Sequence, residues 1–292
     1  MSGIRSTPLV ERDGARTEVR SRRHRQALDF LGRLGFPFLV GGGHALRHYT
    51  GDVRGTKDLD LFVRRGDALP ILEGLASAGF ETDLTFPHWL GKAEIDGDCI
   101  DVIYSSGNGV AEVDDEWFAH SQRALVLGVP VSVSPPEEMI WSKAFVMERE
   151  RYDGADIAHL IRACRGRLDW DRLIARFATH WRVLLSHLTL FGFIYPGESD
   201  AIPPEVLLRL CRRLTCEIRQ PSSKEQVCLG TLLSREQYLT DVEQWGLADG
   251  RLSPRGQMTW ADVERWTAAI EKPNGCDGAE PAGDERESGR GR

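Results

Sequence analysis

Along the first third of the chain the spacing of apolar positions changes several times, and each change marks an element. Ala27, Leu28, Leu31 and Leu34 recur at helical spacing within Arg16 to Leu34, and Gly35 ends that helix. Phe36 to Val40 is an apolar run of strand length, stopped by Gly41-Gly42-Gly43, where the chain needs a tight bend. A short helix through Ala45 and Leu46 follows. Leu59, Leu61 and Val63 then alternate with Asp58, Asp60 and Phe62, the period of a strand with one apolar face and one carboxylate-bearing face. Ala68 to Gly79 suits an amphipathic helix. Lys92 to Tyr104 reads as a hairpin, because Asp96-Gly97 is a turn dipeptide between two alternating segments. Asp101 lies on its second strand.

Farther on, an acidic helix start near Asp114 to Trp117 precedes two short strands, Ala124 to Leu127 and Val129 to Val133, on either side of Gly128. Pro135-Pro136 opens a helix running to about Tyr152, with Glu137 and Glu138 placed where the helix dipole favours acids. From there the pattern is helical, over Ala155 to Cys164, Trp170 to Leu190 and Pro204 to Ile218. The expected fold class is α/β (α+β): a mixed-sheet domain over 16–134 followed by a helical domain over 135–271. Residues 1–15 are expected to fray. Residues 272–292, with almost nothing apolar, are expected to be a disordered tail.

Composition changes this picture little. With 37 Lys plus Arg against 44 Asp plus Glu, the formal net charge of -7 sets no global demand for nucleic acid. A basic cluster, Arg16, Arg20, Arg22, Arg23 and Arg25, reads as a solvated helix face. The six cysteines show no CxxC pair, and the first residues lack the apolar core of a signal peptide, so reduced thiols in a cytoplasmic protein are expected. No apolar run approaches the roughly 20 residues that cross a bilayer.

The chemistry concentrates between Gly41 and Asp101. Glycines between a strand and a helix let backbone amides approach a phosphate that a Cβ would hold off, although such turns are also simple packing devices. Asp58 and Asp60, two apart on a strand, project from one face and can share two cations, with Asp101 from a second strand completing the set. Taken singly, each could be a solvent-facing acid on an amphipathic strand.

Two runs, Gly42-Gly43-His44-Ala45-Leu46 and Arg54-Gly55-Thr56-Lys57-Asp58-Leu59-Asp60-Leu61, resemble the signature of the nucleotidyltransferase superfamily that includes the DNA polymerase beta catalytic fold. The closest likeness is to its abortive-infection and toxin branch. The resemblance spans about Phe36 to Cys164. It implies a catalytic set of Asp58, Asp60 and Asp101 holding two Mg2+ ions. It implies nucleotide contacts from Gly42, Gly43, Arg54, Thr56 and Lys57, and from Lys143 on the later helix. The implied reaction moves a nucleoside monophosphate from a triphosphate such as ATP to a hydroxyl of RNA, protein or a small molecule. A cognate antitoxin protein is implied as a partner. His44 departs from the pattern, standing where the family has a small hydroxyl residue. Arg149 and Asp153 fit either an ion pair or part of the site.

Other readings compete. His44 and His48 are four apart on a helix, but no Glu of a HExxH motif lies between them and no third ligand is evident. Ser105, Ser106 and Ser142 lack a nucleophile elbow. Trp181, Leu184, Leu185, Leu188 and Leu190 read as a core stripe. The rival from another class is a binding or regulatory protein that keeps the fold and transfers nothing.

Overall fold

The structure is a computed structural model that describes residues 9–51 and 56–269. In chain order the elements are α1 (Leu9–Leu34), β1 (Leu39–Val40), α2 (Gly42–Thr50), β2 (Asp58–Phe62), α3 (Arg65–Ser77), β3 (Glu81–Phe86), β4 (Leu90–Ile95), β5 (Asp98–Ile103), α4 (Asp115–Ala119), β6 (Gln122–Val126) and β7 (Val129–Val133). Then come α5 (Pro136–Lys143), α6 (Gly154–Ala163), α7 (Trp170–Phe177), α8 (Trp181–Ile194), α9 (Pro204–Ile218), β8 (Val227–Cys228), α10 (Leu239–Glu243), β9 (Ala248–Asp249) and α11 (Trp260–Ala268). A mixed seven-stranded sheet in the order β3-β4-β5-β2-β1-β7-β6 therefore precedes a largely helical second half.

The alternation in β2 sets the two faces of the sheet. Leu59 and Leu61 are fully buried, as are Ile100 and Val102 at the matching positions of β5, and Leu28, Leu31, Ile71 and Leu75 of α1 and α3 are buried with them. Each such side chain contributes about 1.5–3 kcal/mol on leaving water. A one-residue slip of β2 would turn its carboxylates into this apolar layer, so the pattern fixes the register. The opposite face carries Asp58, Asp60 and Asp101.

The hairpin forms as the Asp96-Gly97 dipeptide requires. Asp96 has φ 50 and Gly97 φ 77, both positive as a two-residue turn of this hand demands, and Ile95 pairs with Asp98 across it.

Several boundaries differ from expectation. The first helix begins already at Leu9. β3 was not expected: its residues Glu81 to Leu84 are exposed or half-buried at the sheet edge, so apolar periodicity gives it no signal. The helix after Pro135 ends at Lys143 rather than near Tyr152, because the chain turns back through a bridge between Met147 and Tyr152. The segment from Trp170 to Leu190 is two helices, broken at Ala178, whose φ is 42. In the core stripe Trp181, Leu184 and Leu188 are buried, but Leu190 is 40% exposed. Cys164, Cys211, Cys216 and Cys228 are free, whereas Cys99 is disulfide-bonded, so the expectation of six reduced thiols fails at that position. No helix among the described residues is long and apolar enough to cross a membrane. The expected tail, 272–292, lies outside the described residues.

Candidate active site

Three glycines bring the carboxylate face of β2 against the turn between β1 and α2. Gly41 N–H donates to Asp60 O at 2.9 Å, and its carbonyl accepts from Ala45 N at 3.0 Å, which starts the helix. Gly42 has φ 50, and a Cβ there would overlap the Asp60 carboxylate. A Cβ on Gly43 would come within 2.7 Å of Thr56 Cβ. Only glycine permits so close an approach, and it leaves the first turn of α2 open beside Asp60.

Pairing between parallel strands then sets the second carboxylate. Asp60 lies opposite Asp101 in the register of β2 and β5, and Lys92 of β4 lies opposite Asp101 on its other side. Lys92 Nζ is 3.2 Å from Asp101 Oδ1, yet this buried oxygen has no well-directed hydrogen bond. Burial, and next the charge of Asp101, push the Asp60 carboxyl up to about 6, against the pull of Lys143. Burial also raises Asp101, opposed by Lys92.

Across the cavity, the last residue of α5 and the turned-back segment after it supply cations. Lys143 Nζ lies 2.8 Å from Asp153 Oδ2 and 2.9 Å from Asp156 Oδ2. Arg151 donates from Nε and Nη2 to the two oxygens of Asp153, each at 3.0 Å. Burial favours the neutral form of Asp153, but Arg151 and Lys143 outweigh it and hold the carboxyl below its ordinary range. The same two carboxylates hold Lys143 above its ordinary value in spite of burial.

These groups line one cavity of about 620 Å³. It gathers Asp58, Asp60, Asp101, Gly42, Gly43, Lys57 and Lys143 from the sequence reading. Thr56 is not part of its wall; the hydroxyl donates to Asp58 O at 3.0 Å beneath the glycine turn. Arg54 lies outside the described residues. Arg149 is exposed and is not part of the cavity wall, and Arg151 lines it instead. His44 is buried with Nε2 unpartnered and faces His24, whereas His48 is exposed, so the helical pair does not converge on a common site.

Lys92, Arg151, Trp89, Trp266 and Arg235 also line the cavity and were not picked out in the sequence. Lys92 had a usable signal: counting back from the two-residue turn places it opposite Asp101. The others reach the site through irregular segments and the last helix, for which spacing gives no rule.

The donor chemistry suits a hard divalent cation. Oxygen donors come from two adjacent strands, and burial raises two of the acids. Among the described residues no three His, Cys, Asp or Glu side chains stand close enough together to hold an ion by themselves. Mg2+ needs no such cage, since it keeps waters and takes phosphate oxygens alongside one or two carboxylates.

No protein-family model matches the sequence, and no curated protein matches it. Among solved structures, the antibiotic-resistance factor ANT(2'')-Ia in solution aligns at 20% identity over 58% of this chain and 97% of its own, with a TM-score of 0.42. The lincosamide antibiotic adenylyltransferase LnuA with lincomycin bound aligns at 13% identity over 48% of this chain and 94% of its own, TM-score 0.37. JHP933 from Helicobacter pylori aligns at 13% identity over 68% and 90%, TM-score 0.36. Overlaps this partial assign no activity to the chain.

Proposed function

We propose that this protein is a metal-dependent nucleotidyltransferase, which moves a nucleoside monophosphate from a triphosphate to an acceptor hydroxyl. The observation that carries the reading is the pairing of Asp60 with Asp101 on adjacent parallel strands, beside an open glycine turn and across from Lys143. The sheet half, 16–134, carries the carboxylates, and the helical half, 135–271, closes the cleft with Lys143 and Arg151.

Asp58, Asp60 and Asp101 would hold Mg2+, which when bound neutralises triphosphate charge and polarises the attacked phosphorus. The amides at Gly42 and Gly43 face the phosphates, where the start of α2 favours negative charge. Lys143 stabilises charge moving onto the leaving pyrophosphate. To do so it shares its ammonium between the phosphates and Asp153 or Asp156. Asp101, raised by burial, is suited to take the proton of the acceptor hydroxyl. Lys57 lies on the nucleotide side, and Arg54 is assigned there from its place in the motif alone. The toxin-type branch and a cognate antitoxin rest on the same motif.

The Lys92 to Asp101 ion pair favours a second reading, because it compensates one carboxylate without any metal. In that case the protein keeps the fold as a binding module. Calorimetric titration with ATP, GTP, CTP and UTP, with and without Mg2+, separates the two. Transfer predicts Mg2+-dependent binding of at least one triphosphate that Asp60→Asn abolishes. Absence of any Mg2+-dependent binding gives the binding module.

A further inference from the structure

The cavity has a direction. Across the sheet it passes from the glycine turn after β1 to Asp58 and Asp60 on β2, then Asp101 on β5, then Lys92 on β4. Three strand spacings, about 14 Å, separate the glycine end from the β4 end. The two ends differ in chemistry. Along the strands from Lys92, at the Leu90 end of β4, the wall is aromatic: Phe86 lies opposite Leu90 and stacks with Trp89 at 5.9 Å between centroids, and Trp266 of α11 meets both edge-on at 4.9 and 5.3 Å. Gly107 admits the Trp266 ring, since a Cβ there would lie 2.5 Å from Cζ2. Arg235 covers the Trp266 ring at 4.5 Å. Trp89 Nε1, a buried donor in this wall, has no acceptor. A buried indole N–H normally has one.

We infer that this aromatic end is the acceptor subsite, and that the acceptor is a small molecule with a flat, largely apolar body that carries the reacting hydroxyl. The inference rests on the nucleotidyltransferase reading of the same site. With phosphates at the glycine turn, an acceptor hydroxyl beside Asp101 has its body against β4, over Trp89. The cations beside the rings are each already paired, Lys92 with Asp101 and Arg235 with Glu148, so the wall offers the acceptor body apolar rings rather than free charge. In the reaction the acceptor hydroxyl loses its proton and its oxygen bonds to the α-phosphorus. The bond from the α-phosphorus to the bridging oxygen breaks, and pyrophosphate leaves.

Equilibrium dialysis with 2-naphthol, in the presence of Mg2+ and the α,β-methylene analogues of the four triphosphates, tests this directly. The expected result is retention of naphthol by the wild type, weakened about tenfold in Trp89→Ala with analogue affinity unchanged, in keeping with the worth of an aromatic contact. Trp89→Phe, which keeps a smaller ring in the wall, should weaken naphthol by less than Trp89→Ala, about threefold, in keeping with the lost part of the aromatic contact. With a cleavable triphosphate, labelled nucleotide should appear on naphthol and not on tobramycin or total RNA. Analogue binding with no naphthol retention, or with equal retention by Trp89→Ala, overturns the inference and leaves nucleotidyl transfer standing. Loss of analogue and naphthol affinity together in Trp89→Phe gives the wall to the nucleobase and overturns it too. Absence of analogue binding to the wild type removes the transfer reading itself.

Discussion

Asp60 and Asp101 stand directly opposite one another on β2 and β5, in a register that keeps Leu59, Leu61, Ile100 and Val102 buried on the other face. The apolar layer and the acidic site are thus two sides of one register. The cost of burying these acids, and next of setting them side by side, appears in the raised pKa of each.

That cost gives a pH-dependent prediction. Below about pH 3 Asp60 is protonated in both folded and unfolded chains. As pH rises, the unfolded chain ionises it near 3.8 but the folded chain only near 6, so stability falls across that interval and stays lower above it. Metal-free Asp60→Asn should therefore exceed the wild type by up to about 3 kcal/mol above pH 6 and match it near pH 3. Urea unfolding in EDTA checks this; a variant less stable than wild type at pH 8 contradicts it.

The histidines give the opposite sign. His24 and His44 lie edge-on with centroids 5.9 Å apart, and burial first of all pushes each down to about 4. Their neutral forms stabilise the fold fully above about pH 6.5, and this is lost as pH falls towards 4. The double variant His24→Gln, His44→Gln should lose less stability than wild type between pH 7 and pH 5. Parallel losses in the two proteins would show that other groups govern acid unfolding.

Gly42→Ala should cost about a hundredfold in turnover, the scale of a displacement near 1 Å at a reacting group, because its Cβ would push the Asp60 carboxylate aside. Gly32→Ala is the control: no atom lies within 4 Å of a Cβ there, and the residue is inside α1. It should gain about 0.5–1 kcal/mol. Equal turnover for Gly42→Ala and wild type would detach the glycine turn from the site.

Much of this was legible in the sequence. Alternation placed Asp58 and Asp60 on one face, and Asp96-Gly97 fixed the hairpin that carries Asp101. What was not legible has a common cause: Lys143, Arg151 and Asp153 meet because the chain turns back after α5, and Trp266 arrives from a distant helix. Such meetings depend on packing between segments far apart in sequence. Arg151 rather than Arg149 lines the cavity and pairs with Asp153, because the expected helix stops at Lys143 and the chain turns back after it.

Lys143 has two carboxylate partners and, in the account given, must turn from at least one of them to a triphosphate. Lys143→Met should weaken triphosphate binding about tenfold or more, by loss of a charge-assisted contact. Asp156→Asn should strengthen it by freeing the ammonium. Weaker binding in Asp156→Asn would make the Lys143 cluster a structural one.

The central claim is that the paired carboxylates of β2 and β5 carry out nucleotidyl transfer. The most direct test is to incubate wild type, Asp60→Asn and Asp101→Asn with each α-labelled triphosphate, Mg2+ and pools of RNA, protein and small molecules, following label and pyrophosphate together. The account predicts label on one acceptor class with matching pyrophosphate release from wild type, and neither from either variant. Transfer that persists in both variants, or no pyrophosphate from wild type with any triphosphate, would contradict it.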